Sequence, residues 1–256
     1  MHLRALTRSD LPDVATITAN CNLEDTLSRY TIKNIETEYT SYRIAEYSFI
    51  RRAWNAPGRQ AFVLAAAKDE LRNKLESVEK QSSNETARTK NEVIIGWAWF
   101  SRQGTSDTAK AWQRSSHVSF ADSVERSLLA VEDFLTYFVP KPGVHRAHRA
   151  IVDAHKTPEL DALFPTEYWS VDGIMVAPAY QRQGYGKVML DWVFARAREE
   201  IVLVVVDGSP KGGVFYKKHG FRSIGEIGFH VYFDETEHGG ERYQRWLWEP
   251  ERTSST

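Results

Sequence analysis

The chain has 256 residues, with 33 Lys and Arg against 34 Asp and Glu, a formal net charge of −1 and 42% hydrophobic residues. This composition can bury a sizeable core, and the lack of a strong net field excludes a surface dedicated to nucleic acid or an anionic membrane. A single cysteine, Cys21, excludes an internal disulfide framework and suits a reducing compartment.

The first stretch, "SDLPDVATITANC", predicts a helix. Ser9 or Asp10 can cap it, Pro12 suits its first turn, and Leu11, Val14 and Ile17 share a face. The start shows no signal-peptide core and no run reaches the length of a membrane span, so the expected location is cytoplasmic, with the nucleus open. Residues 35–54 form a second helical pattern that includes Ile44, Tyr47 and Ile50. Residues 61–67, "AFVLAAA", and 91–102, "NEVIIGWAWFSR", predict strands. The polar stretch between them, 68–92, reads as an exposed excursion at a hairpin tip.

Residues 108–165 read as a mainly helical insertion, with Val124, Leu128, Val131 and Leu135 at helical spacing. His145, His148 and His155 match no common zinc spacing, and no metal site is expected. A strand is predicted at 168–176, a helix at 184–200 and a β-branched strand over "IVLVVVD". A short helix closed by Gly220 follows, and "HVYFDE" and "RYQRWLWEP" read as two final strands. The sequence contains no internal repeat. This order of elements predicts one α/β domain over residues 1–256.

The segment Gln181-Arg182-Gln183-Gly184-Tyr185-Gly186 lies between a strand and a helix. Helix starts carry unpaired N–H groups and bind phosphate, and glycines there keep side chains out of the approach. Arg182 and Lys187 can add charge. Two familiar phosphate loops do not fit. The third glycine of a dinucleotide fingerprint is replaced by Met189. A P-loop aligned on Gly186-Lys187 would have Gln181 for its first glycine and Val188 for its Ser or Thr.

"VDGIMVAPAYQRQGYGKVML", followed after a strand by "SPKGGVFYKKHGF", resembles the two-part signature of the GNAT superfamily of N-acetyltransferases. The close resemblance covers about residues 168–226. It implies a mixed, mostly antiparallel sheet flanked by helices, with central parallel strands 168–176 and 201–206 adjacent and splayed. It further implies acetyl-CoA as cosubstrate, held with its pyrophosphate against Gln181, Arg182, Gln183, Gly184, Tyr185, Gly186 and Lys187. Backbone groups of Ile174, Met175 and Val176 would pair with the pantetheine arm, and Ser209, Gly212 and Tyr216 would complete the cofactor site. Gly173 is the expected marker of a bulge that opens the gap.

Acetyl transfer to an amine needs a neutral amine, a donor for the developing oxyanion and a proton for the leaving thiolate. No covalent enzyme intermediate is required, so Cys21 is expected to be a buried helix residue. By resemblance Tyr216 is the acid and Asp172 the base, the latter with a pKa raised by an apolar strand and acting through a water. Glu167 or a residue of the 108–165 insertion is the alternative base. Trp97 and Trp99 alternate on a strand and either face the site or lie in the core. No motif names the acceptor. The near-neutral charge and the insertions favour a small primary amine. Alternatives are a protein lysine or N-terminus, or CoA binding without turnover. The oligomeric state is left open.

Overall fold

The computed structural model describes residues 1–25, 28–29, 32, 37–68, 70, 92–137, 164–231 and 241–251. Most of the polar excursion, the three histidines and the second half of the helical insertion lie outside the described residues.

A short strand, β1 (His2–Ala5), opens the chain. Four residues are too few to show an alternation, so the sequence pattern missed it. Helix α1 (Leu11–Asn22) follows a 3-10 turn. Asp10 does not cap it forward. Its carboxylate turns back to accept from the Thr7 N–H at 2.9 Å and the Thr7 hydroxyl at 2.7 Å, while Arg4 grips the same group at 2.7 and 3.1 Å. Helix α2 (Tyr39–Trp54) packs on α1, and strands β2 (Gln60–Ala67) and β3 (Glu92–Gln103) come next, close to their predicted bounds.

The insertion begins with α3 (Asp107–Gln113), capped by the Ser106 hydroxyl, and continues into α4 (Phe120–Tyr137). The apolar positions Val124, Leu128, Val131 and Leu135 of α4 are exposed, and Leu129 is the residue it buries. Arg8 and Arg51 both hold Glu125 of this helix.

Strand β4 (Tyr168–Val176) leads through a glycine turn into α5 (Tyr185–Glu200). β5 spans Leu203–Gly208, two residues later than predicted. The shift has a local cause: Ile201 adopts φ 53°, ψ 46° as the C-cap of α5, and the Val202 N–H returns to the Ala197 carbonyl. α6 (Pro210–Lys218), β6 (Arg222–Val231) and β7 (Glu241–Trp248) complete the described elements.

The seven strands form one mixed sheet in the order β1-β2-β3-β4-β5-β7-β6. β4 and β5 are parallel neighbours, and every other pair is antiparallel. The expected adjacency of the two central strands is thus present, and so is their splay. Pairing covers only Tyr168–Ser170 against Leu203–Val205, while both strands run on unpaired with each other. Helix α5 buries Met189, Leu190, Val193 and Phe194 against one face, with Phe100, Trp169 and Val204. On the other face Leu11, Val14, Ile17 and Ile50 cover Val63, Ala65, Trp97 and Trp99. No helix among the described residues is long and apolar enough to cross a membrane.

Candidate active site

The gap between β4 and β5 opens beyond Ser170, where a bulge lies. Trp99 pairs with Gly173 but Phe100 pairs with Val171, leaving Asp172 without a partner across the ladder. Gly173 therefore sits at the bulge, as expected, and its missing side chain leaves room for the Trp97 ring, whose atoms lie 2.7 and 2.8 Å from where a Cβ would stand. Beyond the bulge the Ala177 N–H bonds to Ile95 on the β3 side at 2.9 Å. Main-chain groups alternate in an antiparallel ladder. Met175 is thereby turned to β3, and Ile174 and Val176 face the gap. The expected backbone contact at Met175 is not supported. The Val176 carbonyl already accepts from Gln181 Nε2 at 3.0 Å and from the Cys21 thiol at 3.3 Å, leaving its N–H and the main chain of Ile174 for a ligand. Cys21 is partly buried, and burial pushes its thiol up to about 11, far from a thiolate nucleophile at neutral pH.

The glycine turn carries the start of α5 to the same end of the gap. Gly184 is the N-cap, at φ 85° and ψ −1°, and no side chain caps the helix. Its first N–H groups therefore remain available to an anion. A Cβ at Gly184 would meet nothing within 4 Å, so the approach is open. Gly186 is glycine for a different reason: a Cβ there would lie 2.8 Å from the Phe215 ring of α6. The two glycines divide the work expected of both. Tyr185 is buried in the core and can offer only its backbone. Lys187 Nζ is held by both oxygens of Asp191 at 2.8 and 2.7 Å. Arg182 and Gln183 are exposed at the turn. Ser209 caps α6 by accepting from the Gly212 N–H at 3.2 Å, so these two residues engage each other.

Tyr216 packs its ring on Gly208 and Gly212 at the end of β5 and against Phe221. Its hydroxyl has no hydrogen-bond partner among the described residues, and burial pushes its pKa up, so the phenol stays protonated.

Asp172 lies on the opposite face of β4, with an environment unlike the one expected. Ser101 Oγ donates to it at 3.0 Å and Arg59 stands 3.5 Å away. These polar neighbours replace the apolar surroundings expected of it. Arg59 also lies over the Trp99 ring, 5.1 Å from its centroid, a placement that no motif in the sequence marks. Glu167 is excluded as a base. It accepts from the Thr105 and Ser106 N–H groups at 2.7 and 2.9 Å, from the Ser106 hydroxyl at 2.8 Å and from Arg102 at 2.7 Å. Led by the Ser106 N–H, these donors hold its carboxyl at about 2.

Residues 150–223 match the family model described as the acetyltransferase (GNAT) domain. No curated protein matches. A solved structure from Corynebacterium glutamicum, described as histone acetyltransferase HPA2 and related acetyltransferase, is 12% identical with a TM-score of 0.50, covering 97% of this chain and 95% of that one. A GCN5-related N-acetyltransferase from Kribbella flavida is 14% identical with a TM-score of 0.43, covering 97% and 96%. Residues 150–223 are thus similar to a GNAT acetyltransferase domain, and the fold of the chain resembles that of the Corynebacterium glutamicum structure.

Proposed function

We propose that the protein transfers the acetyl group of acetyl-CoA to a primary amine, most simply that of a small molecule. The observation that carries this reading is the convergence at one end of the sheet. The β4–β5 gap opens just past Ser170, the uncapped start of α5 stands beside it, and the Tyr216 ring packs on Gly208 at the end of β5. Acetyl-CoA, when bound, supplies an activated thioester. The N–H groups at the start of α5 would hold its pyrophosphate, with Arg182 adding charge. Ile174 main-chain groups and the Val176 N–H would hold the pantetheine arm. Tyr216 holds a proton to be given to the departing thiolate. Asp172, beside the bulge, would accept the amine's proton through a water, with Ser101 orienting the carboxylate.

The test is release of free thiol from acetyl-CoA in the presence of purified protein and a panel of small amines and peptides. Turnover with small amines is the expected result. Turnover with peptides alone would transfer the reading to a protein acceptor. Tight CoA binding with no turnover across the panel would refute it in favour of a binding protein.

A further inference from the structure

The arginines most deeply engaged in this molecule are saturated by carboxylates. Arg245 meets both oxygens of Asp207 at 2.7 and 2.9 Å. Arg102 meets Glu167 and Glu200 at 2.7 Å each. Arg4 meets Asp10 at 2.7 and 3.1 Å. Arg59 is the exception. Among the described residues its single ion pair, to Asp172, is 3.5 Å long, beyond the ~2.7–2.9 Å of a charge-assisted hydrogen bond. Its Nε is buried with no partner among them. A guanidinium carries five N–H donors in a planar fork that matches a carboxylate, so most of this one is unspent.

The surroundings repeat the same imbalance. The Trp99 ring beneath Arg59 and its neighbour Trp97, with centroids 4.6 Å apart, are 3% and 4% exposed, and neither indole N–H has a partner among the described residues. Ser101 already spends its hydroxyl on Asp172. The cluster thus holds many donors and one carboxylate, and that carboxylate satisfies none of the three orphaned N–H groups. Buried donors without partners are costly and uncommon in folded proteins. Arg59 and Asp172 each keep about a fifth of their side-chain surface open (22% and 19%), so a small solute reaches the pair. The pair flanks the β4 bulge, where the acceptor amine must arrive if the proposed transfer is correct.

We infer that Arg59, laid over Trp99 beside the Asp172 bulge, is a carboxylate-binding subsite, and that the acceptor is a small amino-carboxylate of the amino-acid type. This rests on the acetyltransferase reading for its role in catalysis but not for the binding itself. The acceptor's carboxylate takes the open donors of Arg59, leaving its amine toward the bulge.

The experiment compares amino acids with the amines that lack only the carboxylate, L-phenylalanine against 2-phenylethylamine and L-alanine against ethylamine. It uses thiol release and, in parallel, the indole N–H resonances of Trp97 and Trp99, assigned through Trp97→Phe and Trp99→Phe. A charged hydrogen bond of ordinary strength gives a preference of roughly 10–100-fold in kcat/KM for the carboxylated partner. Arg59→Gln should bring that ratio toward one, and Arg59→Lys should retain part of it. The amino acid, and not its decarboxylated counterpart, should move the two indole resonances. Moved resonances without turnover would leave the subsite standing and refute the acetyltransferase reading. Turnover of plain amines with no preference and no shift would overturn the subsite and leave that reading intact.

Discussion

Gly184 and Gly186, two residues apart in one turn, should fail in opposite ways when each becomes alanine. At Gly186 the new Cβ would stand 2.8 Å from Phe215 Cζ and 3.0 Å from Cε2, well inside the usual ~3.5–4 Å carbon contact. The ring has little freedom to retreat, with His219 and Tyr216 at 4.7 and 5.4 Å between centroids. Overpacking of this kind costs about 1–3 kcal/mol, a fall in Tm of roughly 2–12 °C for a domain of this size. At Gly184 the space is empty but the backbone is left-handed, which costs a residue with a Cβ about 1–2 kcal/mol. There the methyl projects over the open helix start. Losing one hydrogen bond to a charged phosphate costs about 1.5–3 kcal/mol, or roughly 10–150-fold in Kd. Thermal unfolding followed by circular dichroism, with calorimetric titration of CoA, separates the two. Gly186→Ala should lose stability while the folded protein keeps most of its CoA affinity, and Phe215→Leu should restore the stability. Gly184→Ala should lose affinity as well. The reasoning fails if Gly186→Ala is as stable as the parent and binds CoA weakly, or if Gly184→Ala binds CoA unchanged.

Tyr216→Phe keeps the ring on Gly208 and Gly212 and removes only the proton donor. CoA affinity should hold while turnover falls by about 10²–10⁴-fold, and near-full turnover with chemistry shown to be rate-limiting would exclude the acid role. Because burial raises this phenol's pKa, its ionisation should cause no loss of rate below about pH 10. Glu167 has the opposite sign. Its folded value of about 2 lies below the ordinary 4.5, so its contribution to stability is present above pH 4.5 and disappears as pH falls toward 2. The gap in urea midpoint between the parent and Glu167→Gln should be wide at pH 6 and narrow at pH 2.5, and a gap that does not change with pH would contradict the capping role.

What the sequence made legible was local in the chain. The β-branched run that begins at Ile201, the glycine turn and the helix between them are specified by neighbours, so these elements could be read directly, and the family resemblance supplied the pairing of the two parallel strands. Side-chain roles set by distant partners could not. Gly186 and Phe215 meet across two helices, and nothing near Gly186 distinguishes a packing glycine from a ligand-admitting one. Asp172 reads as an acid in an apolar strand, because the bulge gives it to Arg59 and Ser101, residues of other elements. Glu167 lies next to the β4 strand and suits a base by position, yet the amides at 105 and 106 consume it. Ile201 belongs to a β-branched run but closes a helix, since its left-handed C-cap conformation and the Val202 N–H bond back to Ala197 end α5 there.

The insertion has a place in this arrangement that its helical pattern alone does not reveal. The turn before β2 is tied to the end of α3. The Gly58 N–H bonds to the Ser116 carbonyl at 3.2 Å, Ser116 Oγ donates to the Arg59 carbonyl at 2.9 Å, and Gln60 Nε2 bonds to Ser115 Oγ at 2.7 Å. The other end of the same helix is fastened through Glu167 and Arg102, and its Trp112 indole N–H donates to Glu200 at the end of α5. The first part of the insertion is therefore a brace between the sheet and the turn that presents Arg59. The groups proposed to hold acetyl-CoA belong to β4, α5, β5 and α6, and none of the direct partners given above for them comes from this brace. On that proposal, cofactor binding and acceptor selection rest on separate supports. Changes in the insertion can redirect the guanidinium at the bulge while the helix start and the Tyr216 hydroxyl keep their places.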